Sequence, residues 1–364
     1  MAKKKIYYDI QDRLIEYPNA WIYLVVGGRS TGKTYSALKY MIDNNHKFTF
    51  VKRTMDDVDL LCSGFKSSKK IDKADRVDLS PFKPLNRDFG WNIKAVPLDK
   101  GLGAFYHCDE EDNPIGEPVG YIWALSGVTK FKGFDVSECD FIIFDEFIPK
   151  KWERVNQREG EELLDLYMTI SRDRVLRGRE DLKVLCLANA TNVANPTFNM
   201  LELTDKVVEM QIANQDKFYD TERDIYLERL EASEDFLNAI KRMKVYTAMK
   251  ETEWGSMAFG NDFGYDDFTQ VQKSTIKKFK CLAGYKMKKQ IYYIYFNAEK
   301  GLYYISKSQG NNVKIYNLSI EADAMKFFYD YVVMLRDKTV EGRCKYAYFS
   351  AYDLIMNYKK YYKI

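Results

Sequence analysis

Residues 27 to 34 read Gly-Gly-Arg-Ser-Thr-Gly-Lys-Thr, directly after the apolar run Trp21–Val26 and directly before a helical pattern from Tyr35 to Asn44. The pattern is G-x-x-x-x-G-K-[ST], in the strand-to-helix context that gives it meaning. Gly27, Gly28 and Gly32 let the backbone turn tightly, so that N–H groups of the loop, Arg29, Ser30 and Thr31 included, converge on phosphate oxygens at a helix N-terminus. Lys33 would reach the β and γ phosphates of ATP, and the Thr34 hydroxyl would ligate Mg²⁺. A buried strand feeding such a loop and helix opens an α/β domain.

Further strands follow the same logic. Phe48–Val51, Phe141–Phe144 and Val184–Leu187 are continuous apolar runs, as expected of central parallel strands covered on both faces. Leu163, Leu166, Tyr167 and Ile170 recur at helical spacing between the last two. Residues 55–119 read as a polar insertion beside the main sheet, with short strands at Trp91–Val96 and Ala104–Cys108. After Asn195-Pro196, Val207–Ile212 reads as a strand and Asp220–Met249 as a long helix. Beyond Gly255, the runs Ile291–Phe296 and Leu302–Ser306 flank an Asn297–Gly301 turn, and Glu321–Arg336 reads as a helix. The expected division is an ATPase domain at 1–215, a helical linker at 216–255 and a smaller α+β domain at 256–364.

Composition narrows the function. Hydrophobic residues at 46% and charged residues at 30% suffice for real cores and exclude wholesale disorder. No apolar run approaches the roughly 20 residues of a bilayer span, so a cytosolic protein is expected. Six scattered cysteines without C-x-x-C, and His46 and His107 as the only histidines, argue against a zinc site, a disulfide framework or a histidine-dependent triad. Charge is uneven: residues 256–364 carry 18 basic and 10 acidic side chains, residues 1–255 carry 38 and 43. Two modules with different partners are implied.

The run Phe141-Ile142-Ile143-Phe144 ends in Asp145 and Glu146. A strand-end Asp beside a phosphate loop suits the coordination shell of Mg²⁺, the Walker B role, and the Glu that follows could deprotonate an attacking water. Asn189 ends the Val184–Leu187 run, where an amide could sense the γ-phosphate or simply start a turn. Arg172, Arg174, Arg177 and Arg179 follow the helix around Leu166, and one of them could serve a neighbouring subunit's nucleotide. Arg53, after the second strand, is a candidate to hold the Glu146 carboxylate in an idle position. Lys130 and Lys132, alternating with Phe131 and Phe134, suit a loop that tracks a nucleic-acid backbone; Lys66, Lys69, Lys70 and Lys73 form a second basic group that reads as solvated.

The order of these blocks, with F-I-I-F-D-E-F-I, L-A-N-A-T-N-V-A-N-P-T-F and T-E-W-G-S-M-A-F-G-N-D-F, resembles the DNA-packaging (encapsidation) ATPases of small short-tailed bacteriophages, terminase-like P-loop ATPases with an additional strand and a catalytic Glu. The resemblance covers most of residues 20–265 and is weaker beyond. It implies Lys33 and Thr34 on phosphate and Mg²⁺, Asp145 on Mg²⁺, Glu146 as base, Arg172 as a finger acting in trans, and Lys132 near the ring interface and channel. It implies a homopentameric ring on the portal of an empty procapsid in the host cytoplasm, absent from the mature virion, moving double-stranded DNA inward, with a structural packaging RNA as scaffold in some members. Larger relatives append an RNase H-like nuclease. Here Gln290–Phe296 contains no acid, so the C-terminal domain reads as a degenerate, nuclease-dead version. Its lysines at 345, 359, 360 and 363, interleaved with Tyr346, Tyr348, Tyr358, Tyr361 and Tyr362, suit RNA or portal docking, or alternatively a tyrosine core with a basic rim. A packaging enzyme that also cuts DNA, and a nucleotide-gated assembly protein without translocation, are the competing readings.

Overall fold

The computed structural model describes residues 7–65, 78–130, 134–150, 152–153, 155–230, 234–252, 255, 263, 266–310 and 312–362. By its contacts the chain divides into two units, 1–201 with 213–265, and 202–212 with 266–364.

The first unit is built on one nine-stranded sheet. Its strands are β1 (Ile22–Gly27), β2 (Phe48–Lys52), β3 (Ile93–Asp99), β4 (Leu102–Cys108), β5 (Pro114–Ala124), β6 (Phe141–Asp145), β7 (Lys183–Ala188), β8 (Lys217–Asp220) and β9 (Ile225–Leu230), in the spatial order β3-β4-β5-β2-β6-β7-β1-β9-β8. The six strands from β5 to β9 are parallel. β3 and β4 extend one edge antiparallel, and β8 the other. The insertion thus joins the sheet, through a strand β5 that the sequence reading missed. β7 separates β1 from β6, which places the additional strand between the glycine-rich loop and the paired acids. The central strands are buried throughout, β1 along its full length, which accounts for their unbroken apolar runs. The helix Lys33–Asp43 turns Ala37, Leu38 and Met41 into the core and stops at Asn44, whose N–H donates to the Tyr40 carbonyl, followed by Asn45 in the left-handed region.

Two expectations give way. Asp220–Met249 is not one helix: it opens on the last residue of β8 and continues into β9, and among the described residues only Glu234–Lys241 and Lys244–Met249 are helical. No helical linker therefore spans 216–255. Glu228 and Arg229 misled, because charges inside a strand look like the polar face of a helix; Glu228 is only 3% exposed and is paired with Arg13 of the helix Ile10–Glu16 at 2.9 Å. Val207–Ile212 lies in a helix, Thr204–Ile212, that turns Thr204, Val207 and Val208 inward at helical spacing and belongs to the second unit.

The second unit carries five strands, β10 (Lys280–Met287), β11 (Gln290–Asn297), β12 (Leu302–Ser306), β13 (Ile315–Asn317) and β14 (Cys344–Tyr346), in the order β13-β10-β11-β12-β14. β10 to β12 are antiparallel, and β13 and β14 add in parallel at the two edges. The expected hairpin and helix are present, the helix as Glu321–Phe327 and Val333–Val340 joined by a π turn at Phe328–Val332. Tyrosines fill the core: Tyr285, Tyr292, Tyr316, Tyr346 and Tyr358 are buried, with Tyr285 and Tyr292 stacked 5.2 Å apart. Tyr346 and Tyr358 are therefore not stacking platforms for RNA, as one reading of the tyrosine–lysine alternation had them; at these positions the alternation records core and rim. Among the described residues no helix is long and apolar enough to cross a membrane.

Candidate functional site

All the chemistry-bearing residues of the first unit's central sheet lie at the carboxyl ends of parallel strands, where α/β sheets open a crevice. Gly27 ends β1, Lys52 ends β2, Asp145 ends β6 and Asn189 follows β7. The loop after β1 takes Ser30 and Gly32 through the left-handed region, at φ 59° and 93°. Gly32 is required there twice over: a side chain would be strained at that φ, and a Cβ would meet Tyr7 Cβ at 3.0 Å. Tyr8 N–H donates to the Thr31 carbonyl at 3.0 Å, so the segment before the first helix is strapped to the loop.

Lys33 is folded back onto this loop. Its ammonium donates to the Gly28 carbonyl at 2.8 Å, the Gly27 carbonyl at 3.3 Å and Thr31 Oγ1 at 3.2 Å. Burial lowers its pKa to about 8, with Asp145 opposing the shift. A buried cation satisfied by weak carbonyl partners gains by exchanging them for an anion.

Thr34 Oγ1 donates to Asp145 Oδ1 at 2.7 Å, bridging the loop to β6 across the intervening β7. A hydroxyl and a carboxylate in contact are hard oxygen donors of the kind Mg²⁺ selects, and the pair fits that ion. Glu146 leaves the strand with φ 60°, a costly conformation for a residue with a side chain. It is held by its N–H, which donates to the Leu187 carbonyl at 2.7 Å, and its side chain is 60% exposed.

The residue that touches both carboxylates is Lys52, which the sequence reading did not single out. Its ammonium donates to Asp145 Oδ2 at 2.7 Å and to Glu146 Oε2 at 3.5 Å. Burial alone would lower its pKa, but the two carboxylates outweigh it and the net shift is upward. Arg53, proposed above to hold the Glu146 carboxylate, does something else. Its guanidinium donates to the Glu146 and Phe147 carbonyls at 3.0 and 3.1 Å and forks onto the buried Glu159 at 2.9 and 3.1 Å. It fixes the backbone that carries Glu146. Side chains alternate along a strand, which is why neighbouring residues 52 and 53 have separate targets.

The glycine-rich loop and the paired acids line a cleft of about 490 Å³. Its lining includes Arg29 to Thr34, Asp145, Glu146 and Asn189, together with Tyr7, Tyr35, Pro84, Arg87 and Asp88. Of the last five residues the sequence marks only Tyr35, next to Thr34, because the helix Lys83–Phe89 bears no motif.

Arg172 does not line this cleft. It caps the helix Glu159–Ser171 with φ 36°, donates to the Thr169 and Phe134 carbonyls at 3.0 Å each, and lies 3.7 Å from Asp135. Of its neighbours, Arg174 is buried against Asp140 and the Cys139 carbonyl, and Arg179 reaches Asp140 at 2.9 Å, so these two lock the loop. Burial would raise the Asp140 pKa, but hydrogen bonds from His46, Arg174 and Arg179 bring it down to about 2. Arg177 pairs locally with Asp173 at 2.7 Å. Lys130 is exposed, with Nζ 3.9 Å from Met55 Sδ. Lys132 lies outside the described residues, as do Lys66, Lys69, Lys70 and Lys73.

Comparison with known proteins gives a consistent picture. The family described as podovirus DNA encapsidation protein (Gp16) matches residues 115–352. The chain is 25% identical over 253 residues to a DNA packaging protein of Bacillus phage B103, a match spanning 68% of this chain and just under two thirds, 66%, of that one. It is 24% identical over 325 residues to a DNA packaging protein of Bacillus phage phi29, covering 87% of this chain and 84% of that one. Among solved structures, it is similar in fold to a chain of the bacteriophage Phi-29 viral genome packaging motor assembly, with a TM-score of 0.61 at 20% identity over 98% of this chain and 99% of that one. The family match starts in β5 and runs through the paired acids into the second unit, and on that extent the chain belongs to the podovirus DNA encapsidation protein (Gp16) family.

Proposed function

We propose that this protein is the ATP-hydrolysing subunit of a viral DNA-packaging motor, a homomeric ring, taken as a pentamer from the family resemblance, that docks on the portal of a procapsid and drives duplex DNA into it. The observation that carries the reading is the 2.7 Å hydrogen bond from Thr34 to Asp145 in the cleft of the glycine-rich loop, with Glu146 exposed beside it. The residues then have distinct tasks. Loop N–H groups and Lys33 bind the triphosphate, Lys33 leaving the Gly27 and Gly28 carbonyls for phosphate oxygens. Mg²⁺, held by Thr34 and Asp145, would supply charge neutralisation at the phosphates. Glu146 orients a water and accepts its proton as the water oxygen bonds to the γ-phosphorus and the bond from that phosphorus to the β–γ bridging oxygen breaks, releasing ADP and phosphate. Asn189, at the cleft wall, contacts the γ-phosphate, and Arg172 from an adjacent subunit completes the site.

Lys130 and Lys132 would follow the DNA backbone. The second unit is proposed as a docking module for portal and, in systems that use one, a structural packaging RNA. Its reading as a degenerate RNase H-like fold without nuclease activity rests on the absence of acids from β11. The protein would act in the host cytoplasm and leave the particle before the virion matures.

The test is DNA-stimulated ATP hydrolysis by Glu146→Gln. The substitution keeps size and hydrogen bonding but removes the base, so turnover falls by roughly 10²- to 10⁴-fold with ATP still bound. Turnover equal to the parent's shows that Glu146 is not the base.

A further inference from the structure

Besides the glycine-rich loop and the paired acids, the cleft is lined by Tyr7, Tyr35, Pro84, Arg87 and Asp88, which the phosphate chemistry does not use. Tyr7 is placed by its own backbone. The Tyr8 N–H donates to the Thr31 carbonyl at 3.0 Å and the Ile10 N–H to Ser36 Oγ at 2.8 Å, so the segment is tied both to the loop and to the helix that follows it. Tyr7 is 58% exposed, and among the described residues its ring makes an edge-on approach to Phe236 with centroids 6.2 Å apart. An aromatic face beside a phosphate site is a stacking platform, and it tolerates any base because every base has a π face.

Asp88 faces the same space. Its Oδ2 accepts from the Tyr35 hydroxyl at 2.9 Å and its Oδ1 from Arg87 Nε at 2.8 Å. Each oxygen is thereby oriented and keeps a further lone pair. Two fixed acceptors match two adjacent hydroxyl donors, the arrangement by which an acidic residue recognises ribose. We propose that this part of the lining is a ribonucleoside subsite, in which Tyr7 stacks on the base and Asp88 accepts hydrogen bonds from the ribose hydroxyls. The assignment rests on the reading of the loop as the phosphate site. The competing role for Asp88, a latch tying the helix Lys83–Phe89 to Tyr35, requires no preference for ribose.

Calorimetry of the full chain with Mg²⁺ and three probes, ADP, 2′,3′-dideoxy-ADP and pyrophosphate, separates these roles without turnover. The parent is expected to bind ADP about tenfold more tightly than the dideoxy form. Asp88→Ala abolishes that preference and leaves pyrophosphate binding unchanged, and Asp88→Asn, which keeps one acceptor, retains part of it. Tyr7→Ala weakens both nucleotides by at least about fivefold and spares pyrophosphate, whereas Tyr7→Phe behaves as the parent. A ribose preference that survives Asp88→Ala, or nucleotide affinity indifferent to Tyr7→Ala, overturns the subsite. Pyrophosphate binding with no gain from the nucleoside sinks the subsite alone, and binding of none of the probes sinks the phosphate site with it.

Discussion

Replacing Arg53 with Met removes the cation that, among the described residues, pairs with the buried Glu159. The pair is well enclosed, with side-chain exposures of 9% and 4%, and the guanidinium also satisfies the carbonyls of Glu146 and Phe147. Breaking a buried pair by removing one partner costs about 3–5 kcal/mol, because the orphaned charge keeps its desolvation penalty. For a unit this size, with a urea slope of about 3 kcal/mol per M, the unfolding midpoint should fall by roughly 1 to 1.7 M. The loss should depend on pH. Burial raises the Glu159 pKa, an effect that Arg53 partly offsets. A carboxyl whose pKa is raised by folding destabilises the fold above that pKa, and this cost disappears as pH falls through it. Without Arg53 the pKa rises further, so the deficit of Arg53→Met is largest near neutrality and shrinks on acidification.

The double variant Arg53→Met/Glu159→Met separates stability from function. Apolar replacement of both partners leaves no orphaned charge and should recover most of the midpoint. It should not recover ATP turnover, since the Arg53 hydrogen bonds to the Glu146 and Phe147 carbonyls, which help fix the backbone at Glu146, are lost in both variants. Urea unfolding followed by tryptophan fluorescence, beside steady-state hydrolysis, measures both. A single variant as stable as its parent, or a double variant with parental turnover, refutes the role given to Arg53.

Two further outcomes follow from the site. Lys52 neutralises Asp145 from the position where a cation would bind, so Lys52→Met should lower the Mg²⁺ concentration for half-maximal hydrolysis; an unchanged or higher requirement contradicts that competition. Because Arg172 is absent from the lining of its own cleft, mixtures of Arg172→Ala and Lys33→Ala subunits should recover turnover that neither has alone. Mixtures as inactive as their components argue against action in trans.

What the sequence disclosed depended on how local the signal was. The glycine-rich loop, the apolar strands ending at Asp145 and at Ala188, and the Asn297–Gly301 hairpin turn are each written in consecutive residues, and the structure has them where expected. Asp145 and Thr34, separated by 111 positions, could be paired in advance only because each stands at the end of a recognisable strand or loop. In sequence β9 reads as helix because its charges find partners elsewhere in the fold: Glu228 meets Arg13 from 215 positions away. The rest of the cleft lining is invisible in sequence for the same reason, since Tyr7 is brought to the loop by the neighbouring Tyr8 N–H on the Thr31 carbonyl and Asp88 meets Tyr35 from an unmarked helix. Arg53 and Lys52 show the limit at a single residue, for a one-position shift along a strand exchanges the faces to which the two cations point.

The most direct test of an ATP-driven packaging role is protection of duplex DNA from nuclease after incubation with procapsids, ATP and this protein, with phosphate release followed in the same reaction. The account requires full-length protected DNA with hydrolysis for the parent, and neither for Lys33→Ala. Protected DNA accumulating with Lys33→Ala, or with the parent in the absence of hydrolysis, would contradict it.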